Sequence, residues 1–211
     1  DSFNGLAGRP VDINAQMGAL EFSYERDWVR YQASFFYASG DSNADDGSAT
    51  GFDTILDNPN FTGGPFSYYV RQGFNLAGTS VGFKTPNSLV PNLRTSKTES
   101  QANFVNPGVF IYGVGTEIEL TPKLRNFINA NYIRFAQTDS IKTALLTDNI
   151  NPEIGFDLST GFQYRPLLTD NVIISAGFGV LIPGRGYKDI YRSNTDHVPG
   201  YNRSSHQGQT D

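Results

Sequence analysis

Cysteine is absent from the 211 residues of this chain, which has one methionine, one tryptophan and two histidines. The absence of cysteine excludes disulfides, cysteine-based metal sites and cysteine nucleophiles. His197 and His206 lie in a polar C-terminal stretch without strand periodicity, and no serine has the setting of a nucleophile. We therefore expect no enzyme activity. A net charge of −5 without a basic run argues against nucleic-acid binding.

Long apolar runs are also absent. The longest nearly apolar stretch, Val172 to Ile182, is too short for a membrane-spanning helix, which needs about 20 apolar residues. Mean hydropathy is −0.37, yet aromatic residues reach 13% and there are 22 glycines. This mixture is typical of an all-β protein with many turns. It is compatible with transmembrane strands, which need only about 9–11 residues each.

Six segments alternate between apolar and polar side chains, as strands with two different faces do. In EIGFDLSTGFQYRP, Ile154, Phe156 and Phe162 belong to an apolar set, and Asp157 and Gln163 to the opposite, polar set. The predicted strands are Ile13 to Tyr24, Trp28 to Ala38, Gly108 to Leu120, Leu124 to Ala136, Glu153 to Pro166 and Val172 to Ile182. The first changes phase near Ala19–Leu20, which leaves its facing ambiguous.

Short and long connections alternate between these strands. Three short turns contrast with connections at 39–107, 137–152 and 183–211. Outer-membrane barrels have short turns on the periplasmic side and long loops outside. The pattern predicts an antiparallel transmembrane β-barrel, a single region over 1–211 with those three segments as extracellular loops. Segment 39–107 could add two weak crossings, but we favour a loop folded over or into the pore.

The polar sides of the strands carry mostly Gly, Ser, Asn and Gln, which suits a water-filled lumen. The residues predicted to line the pore are Arg30, Gln32, Glu117, Glu119, Asn129, Asn131, Arg134, Asp157, Gln163 and Arg165. Candidates for a loop or gate are Arg71, Arg94 and Lys97. Arginines in a narrow channel attract carboxylates and sulfates more strongly than in bulk water. Aromatic residues near the strand ends suggest two interfacial girdles, although they would also fill a soluble β core.

The acidic segment GDSNADDGSATGFD offers a weak calcium site at Asp41, Asn43, Asp45 and Asp46. It is not an EF-hand loop, because the sixth position is Asp46 instead of glycine and the twelfth is Phe52. The alternative is a solvated turn in which Asp and Asn side chains cap their own backbone. No other cofactor is expected.

Several motifs together resemble large bacterial outer-membrane proteins grouped with the alginate-export family. They are GRPVDINAQMGALEFSYERDWVRYQASFFYASGD, GFDTILDNPNFTGG, SLVPNLRTSK, QANFVNPG, LTPKL, YRPLLTDNVI and LIPGRGYKDIY, and the resemblance extends from about Gly8 to Tyr191. It implies a Gram-negative outer-membrane barrel of about sixteen to eighteen strands that passes anionic polysaccharide or other polar solutes. Glu117, Glu119 and Asp157 depart from the arginine-rich constriction of alginate exporters.

The chain starts without methionine and ends in a polar tail, so we expect the C-terminal part of a larger barrel. The predicted function is an outer-membrane porin for polar or anionic solutes, with polysaccharide export as one form. Its partners are outer-membrane lipid, the solute and, in one alternative, a periplasmic or extracellular protein. In that alternative the barrel is a scaffold or sleeve for a secreted or electron-transfer partner. The other alternative is a soluble carbohydrate-binding β-sandwich.

Overall fold

The computed structural model describes residues 12–43, 46–52, 66–68, 104–168 and 171–196. In chain order the elements are β1 (Asp12–Ile13), β2 (Met17–Arg26), β3 (Val29–Ala38), β4 (Ser48–Ala49), β5 (Val109–Thr121), β6 (Leu124–Arg134), α1 (Asp139–Leu145), β7 (Glu153–Tyr164), β8 (Ile174–Pro183) and α2 (Arg185–Asp196). Within these ranges, neither helix has the length and apolar composition needed to cross a membrane.

The long strands form one antiparallel sheet of six in the order β2-β3-β5-β6-β7-β8. Neighbouring strands in this sheet are also consecutive along the chain, except that the short β4 lies between β3 and β5 in sequence. β4 belongs to a separate two-stranded sheet, in which it pairs in parallel with β1. Two connections are tight, because Arg26 pairs with Val29 and Thr121 with Leu124. Asp27 adopts a left-handed φ of 53° in the first of them, a conformation that Asp tolerates. The predicted all-β, antiparallel architecture is confirmed.

The predicted strands match the six strands of the sheet, with two kinds of difference. The first is divided, because β1 pairs elsewhere and β2 begins only at Met17. The unbroken pairing of β2 with β3 removes the ambiguity of phase and puts Leu20, Phe22 and Tyr24 on one face. The long connections also contain regular structure, since α1, α2 and β4 lie inside them.

A β-bulge at the start of β7 changes the facing of Ile154. Ile133 pairs with Gly155 whereas its neighbour Arg134 pairs with Glu153, so Ile154 is an extra residue. Gly155 has a φ of 138°, and a Cβ there would lie 2.1 Å from the carbonyl oxygen of Ile182. Only glycine fits such a position. Ile154 is consequently buried on the polar side of the sheet, and its predicted place in the exposed apolar set is wrong.

The main hydrophobic cluster lies on that same side, at the strand ends that lead into the long connections. Its buried members are Phe36, Ala38, Val109, Ile111, Ile133, Phe135, Ile141, Ile150, Ile154 and Ile190. Ile141 comes from α1 and Ile190 from α2, and Tyr187 one turn earlier packs against the cluster. The two helices therefore cover one end of the sheet, and the polar face is not polar along its whole length.

Candidate functional site

The apolar face of the six-stranded sheet is exposed, whereas the polar face is covered over part of its area. Phe162 is 47% exposed and Phe178 68%, although both are large and apolar. On the opposite side of β7, Asp157 is 0% and Ser159 6% exposed. Other large exposed side chains on the apolar face are Leu20, Phe22, Tyr24, Tyr31, Tyr112, Val114, Ile128, Phe156, Leu158, Tyr164, Ile174, Val180 and Ile182. This is the reverse of the arrangement expected for a sheet that packs its apolar face into a core.

Aromatic rings form a belt across this apolar face, near the ends of the strands that lead into the long connections. The ring centroids of Tyr37 and Phe110 are 4.7 Å apart, and those of Phe35 and Tyr112 are 5.2 Å apart. The belt continues from Tyr112 to Tyr132, 6.3 Å, and from Tyr132 to Phe156, 5.0 Å. It crosses β3, β5, β6 and β7. The aromatic residues predicted to cluster at this end therefore form one continuous set of ring contacts.

Near the tight turns, the polar face carries a row of alternating charges, here called the charged row: Glu25, Arg30, Glu117, Arg125 and Glu119. Arg30 Nε donates to Glu25 Oε1 at 2.7 Å, and its Nη1 lies 3.3 Å from Glu117 Oε2. Arg125 Nη1 lies 3.4 Å from the same Glu117 oxygen, and Nη2 lies 2.8 Å from Glu119 Oε1. Cross-strand pairing explains the row, because Arg30 is opposite Glu117 and Glu119 is opposite Arg125.

The charged row lines a shallow depression of about 140 Å³ together with Asp27 and Trp28. Glu117 is its central residue, because it accepts from both arginines and Gln32 Nε2 lies 3.4 Å from its other oxygen. The Glu117 side chain is 16% exposed and that of Arg125 26%, so the ions are only partly in contact with solvent. Such a row presents both signs of charge across four neighbouring strands.

Small residues occupy the middle of the polar face. On β5, a Cβ at Gly115 would lie 2.3 Å from Asn129 Oδ1, and one at Gly113 would lie 2.6 Å from Asn131 Oδ1. The two asparagines therefore extend over the paired glycines, to which they lie directly opposite. The middle of the polar face is consequently lined by amides.

A segment from the longest connection lies on the neighbouring part of this face. Ser67 Oγ donates to Asp157 Oδ2, and the backbone N–H of Tyr68 donates to Asp157 Oδ1 at 3.2 Å. The Phe66 ring lies over Gly161 and Gly177, which are paired on β7 and β8. The sequence predicted a loop folded over or into a pore; in the structure, residues 66–68 of that connection lie against the polar face of β7 and β8.

The structure puts most of the predicted pore-lining residues on the polar face. These are Arg30, Gln32, Glu117, Glu119, Asn129, Asn131, Asp157 and Gln163, with Arg165 directly after β7 bonded to Gln163 Oε1 at 3.4 Å. Arg134 does not join them. It pairs with Phe110 on the apolar face, because the side chains alternate along β6 and Arg134 has the parity of Ile128 and Tyr132. The prediction of Arg134 as a pore-lining residue, which required the polar face, is therefore wrong.

The same parity argument identifies a residue that the sequence prediction missed. Arg125 has the parity of Asn129 and Asn131 in β6, and it is a member of the charged row. Glu25 was missed because the predicted strand ended at Tyr24, whereas β2 continues to Arg26. Phe66 carried no periodic signal at all. The candidates Arg71, Arg94 and Lys97 lie outside the described residues.

In the acidic segment after β3, aspartate side chains accept hydrogen bonds from nearby turn residues. The buried Asp41 accepts at Oδ1 from the Thr50 backbone N–H at 3.0 Å and from the Thr50 hydroxyl at 3.2 Å. Asp46 Oδ1 accepts from the backbone N–H of Ser48 at 2.8 Å. Asp45 lies outside the described residues, and within them no three His, Cys, Asp or Glu side chains are grouped to hold a metal ion. For Asp41 and Asp46 the turn-capping alternative accounts for these contacts.

Comparison of the chain with protein-family models, with curated proteins and with solved structures gave no match.

Proposed function

We propose that this chain forms part of the wall of a bacterial outer-membrane β-barrel of the alginate-export-like kind, and that the barrel passes polar or anionic solutes. In this proposal the apolar face of the six-stranded sheet contacts lipid and the polar face contacts water and solute. The solute class includes anionic polysaccharide, because arginines of the charged row can pair with carboxylates.

The observation that carries the proposal is the exposure of large apolar side chains along the whole apolar face. Soluble monomeric proteins rarely expose contiguous apolar patches larger than a few hundred Å². Here, exposed apolar side chains occur on all six strands, from Phe22 on β2 to Phe178 on β8. Lipid hydrocarbon is a partner that explains this exposure without a second sheet. The aromatic belt supports the same orientation, because tyrosine is enriched at membrane–water interfaces.

The polar face supports transport of solutes with charge or strong dipoles. The charged row contains two arginines and three glutamates. Glu117 partly neutralises both arginines, so the face is not uniformly positive. The row carries one net negative charge, so we expect it to orient dipolar solutes and to contact anionic groups only at the two arginines, which allows passage without tight binding.

Two other functions predict different measurements. A sleeve around a protein partner would give little conductance in a planar bilayer, because the partner or a plug fills it. A soluble carbohydrate-binding sandwich would bury its apolar face against a second sheet and stay folded in plain buffer. The exposed apolar face disfavours the sandwich, since among the described residues it packs against no second sheet.

The experiment that tests the proposal combines gel mobility with conductance on the full-length protein. A closed barrel is expected to resist SDS until boiled and to migrate differently before and after heating. Planar bilayers should then show discrete conductance steps that carry both potassium and chloride. A protein that remains folded and monodisperse without detergent or lipid would refute the assignment.

A further inference from the structure

Three glycines leave an unusually bare area on the polar face of β7 and β8. Gly161 and Gly177 are direct partners, and Gly179 pairs with Ser159 one position along on the same face. Glycine within strands weakens a sheet and commonly marks a place where another group approaches closely. Here that group is Phe66. A Cβ at Gly161 would lie 2.1 Å from Phe66 Cε2, and one at Gly177 would lie 2.3 Å from Phe66 Cδ1. The bare area is thus shaped for an aromatic ring.

Asp157 holds residues 66–68 through one side-chain hydroxyl and one backbone N–H of that segment. Its carboxylate is completely buried and accepts from the Ser67 hydroxyl and from the Tyr68 N–H. Ser67 is itself 1% exposed. A buried carboxylate requires hydrogen-bond donors, so Asp157 and the segment stabilise each other. Two independent contacts therefore fix residues 66–68 against the sheet. The Phe66 ring lies on the glycines, and the Asp157 carboxylate accepts from the Tyr68 backbone.

The contact is deep along the strand. Asp157 is the fifth residue of β7, roughly 13 Å from the end of the sheet at which the long connections enter, taking about 3.3 Å per residue. Gly161 is four residues further on, toward the charged row. The segment therefore lies about midway along β7, on its polar face.

We propose that Phe66, Ser67 and Tyr68 form an internal restriction, which limits the size of solute that passes over the polar face. This inference rests on the proposed channel function. The ring and the backbone of the segment occupy volume above β7 and β8 that would otherwise be open to water. Phe66 is then a specificity-determining residue, and Asp157 and the three glycines are positioning residues.

The absence of cysteine allows a clean test of the docking. In the full chain, the pair Ser67→Cys and Ser159→Cys is expected to be linked by a short bifunctional thiol-reactive reagent in native membranes, giving a shifted band on denaturing gels. Ser159 lies between Asp157 and Gly161 on the same face of β7, so this pair keeps both contact residues. The pair Ser67→Cys and Gly18→Cys is the control, because Gly18 lies on the apolar face of β2. Cross-linking of both pairs to the same extent, or of neither, would contradict the docking.

The role of the segment is tested by proteoliposome swelling with uncharged sugars of increasing size. Phe66→Ala removes the ring, and Gly161→Ala introduces a Cβ that displaces it. Both should raise the rate for large sugars several-fold relative to the rate for the smallest one. Gly18→Ala is the matched glycine control, because a Cβ there meets nothing within 4 Å. Heat-dependent gel mobility identifies variants that fold, and Phe66→Ala remains informative if Gly161→Ala does not fold.

The outcomes separate the two proposals. Wild-type and variant vesicles that all stay impermeable would refute the channel function, and the restriction with it. Permeable wild-type vesicles whose size dependence is unchanged in both variants would refute the restriction alone. An impermeable wild type with permeable Phe66→Ala vesicles would support both proposals, with the segment as a closed plug.

Discussion

Arg134 lies above the ring of Phe110, with its guanidinium carbon 5.7 Å from the ring centroid. The two residues are cross-strand partners on β5 and β6, within the aromatic belt. A guanidinium on an otherwise apolar face would be costly in hydrocarbon, but a long arginine side chain at the membrane interface can reach the headgroups. The ring beneath it supplies a cation–π contact. This position therefore agrees with a belt at the level of the lipid headgroups.

We expect the two side chains to be energetically coupled. A double-mutant cycle with Arg134→Met and Phe110→Leu should give a coupling energy of about 0.5–1 kcal/mol, the range of exposed cation–π contacts. The measurement is the free energy of unfolding by denaturant in lipid vesicles. Arg134→Met with Phe22→Leu is the control cycle, because Phe22 lies on the distant strand β2. Equal coupling in both cycles would show that the contact contributes nothing.

A charge placed on the apolar face should destabilise the folded protein. If the apolar face contacts lipid as proposed, Leu158→Arg is expected to lower the free energy of unfolding in vesicles by roughly 2–4 kcal/mol, because Leu158 is the sixth of the twelve residues of β7 and the guanidinium would enter hydrocarbon near mid-strand. The control is Gln32→Arg on the polar face, where Gln32 already contacts the carboxylate of Glu117. It should cost far less. Similar losses for both variants would contradict the assignment of the faces.

Removal of the central carboxylate of the charged row should change ion selectivity. Glu117→Gln removes the negative charge shared by Arg30 and Arg125, so the local potential becomes more positive. The reversal potential in a potassium chloride gradient should move toward chloride selectivity. Stability should change by only about 0–1 kcal/mol, since partly exposed ion pairs contribute little. Asp148→Asn removes the same charge at an exposed position outside the sheet and should leave the reversal potential unchanged.

Asp41 should give the fold a distinctive pH dependence. Burial raises the pKa of its carboxyl above the ordinary value, and the hydrogen bonds from Thr50 oppose this rise. The folded state therefore holds the proton more tightly than the unfolded state. The stabilisation is fully present below the ordinary pKa of about 3.9 and is lost as the pH rises through the raised value.

The variant Asp41→Asn imitates the neutral carboxyl and keeps an oxygen to accept from Thr50. Its free energy of unfolding should exceed that of the wild type by more at pH 7 than at pH 4. Denaturant unfolding in detergent micelles at the two pH values measures this difference. The exposed neighbour Ser42, which carries no titratable group, provides the comparison, and Ser42→Ala should change the free energy of unfolding equally at both pH values. A difference that is independent of pH would contradict the account of Asp41.

The sequence was sufficient where structure depends on alternation between neighbouring residues. Period-two patterning located the strands of the sheet and assigned Phe162 and Asp157 to opposite faces. The same rule, applied consistently along β6, would also have assigned Arg125 to the polar face and Arg134 to the apolar one. Arg125 was omitted and Arg134 was misassigned because the alternation was not followed to both ends of β6. The alternation itself holds there.

Other features lay beyond local patterning. The two helices in the long connections were missed because a short helix is stabilised mostly by the surface it packs on, here the cluster that includes Ile141 and Ile190. Ile154 changed face because one extra residue in a bulge inverts the alternation, and nothing in the local pattern marks that residue.

The chain by itself determined an all-β protein with one apolar and one polar side to each strand, because alternation is a property of the extended backbone. Only the tertiary structure decided which residues meet: Glu117 with two arginines, Phe66 with Gly161 and Gly177, and Ser67 with Asp157. Ser67 and Asp157 are 90 residues apart. Their contact depends on how a long connection folds back, which strand periodicity does not encode.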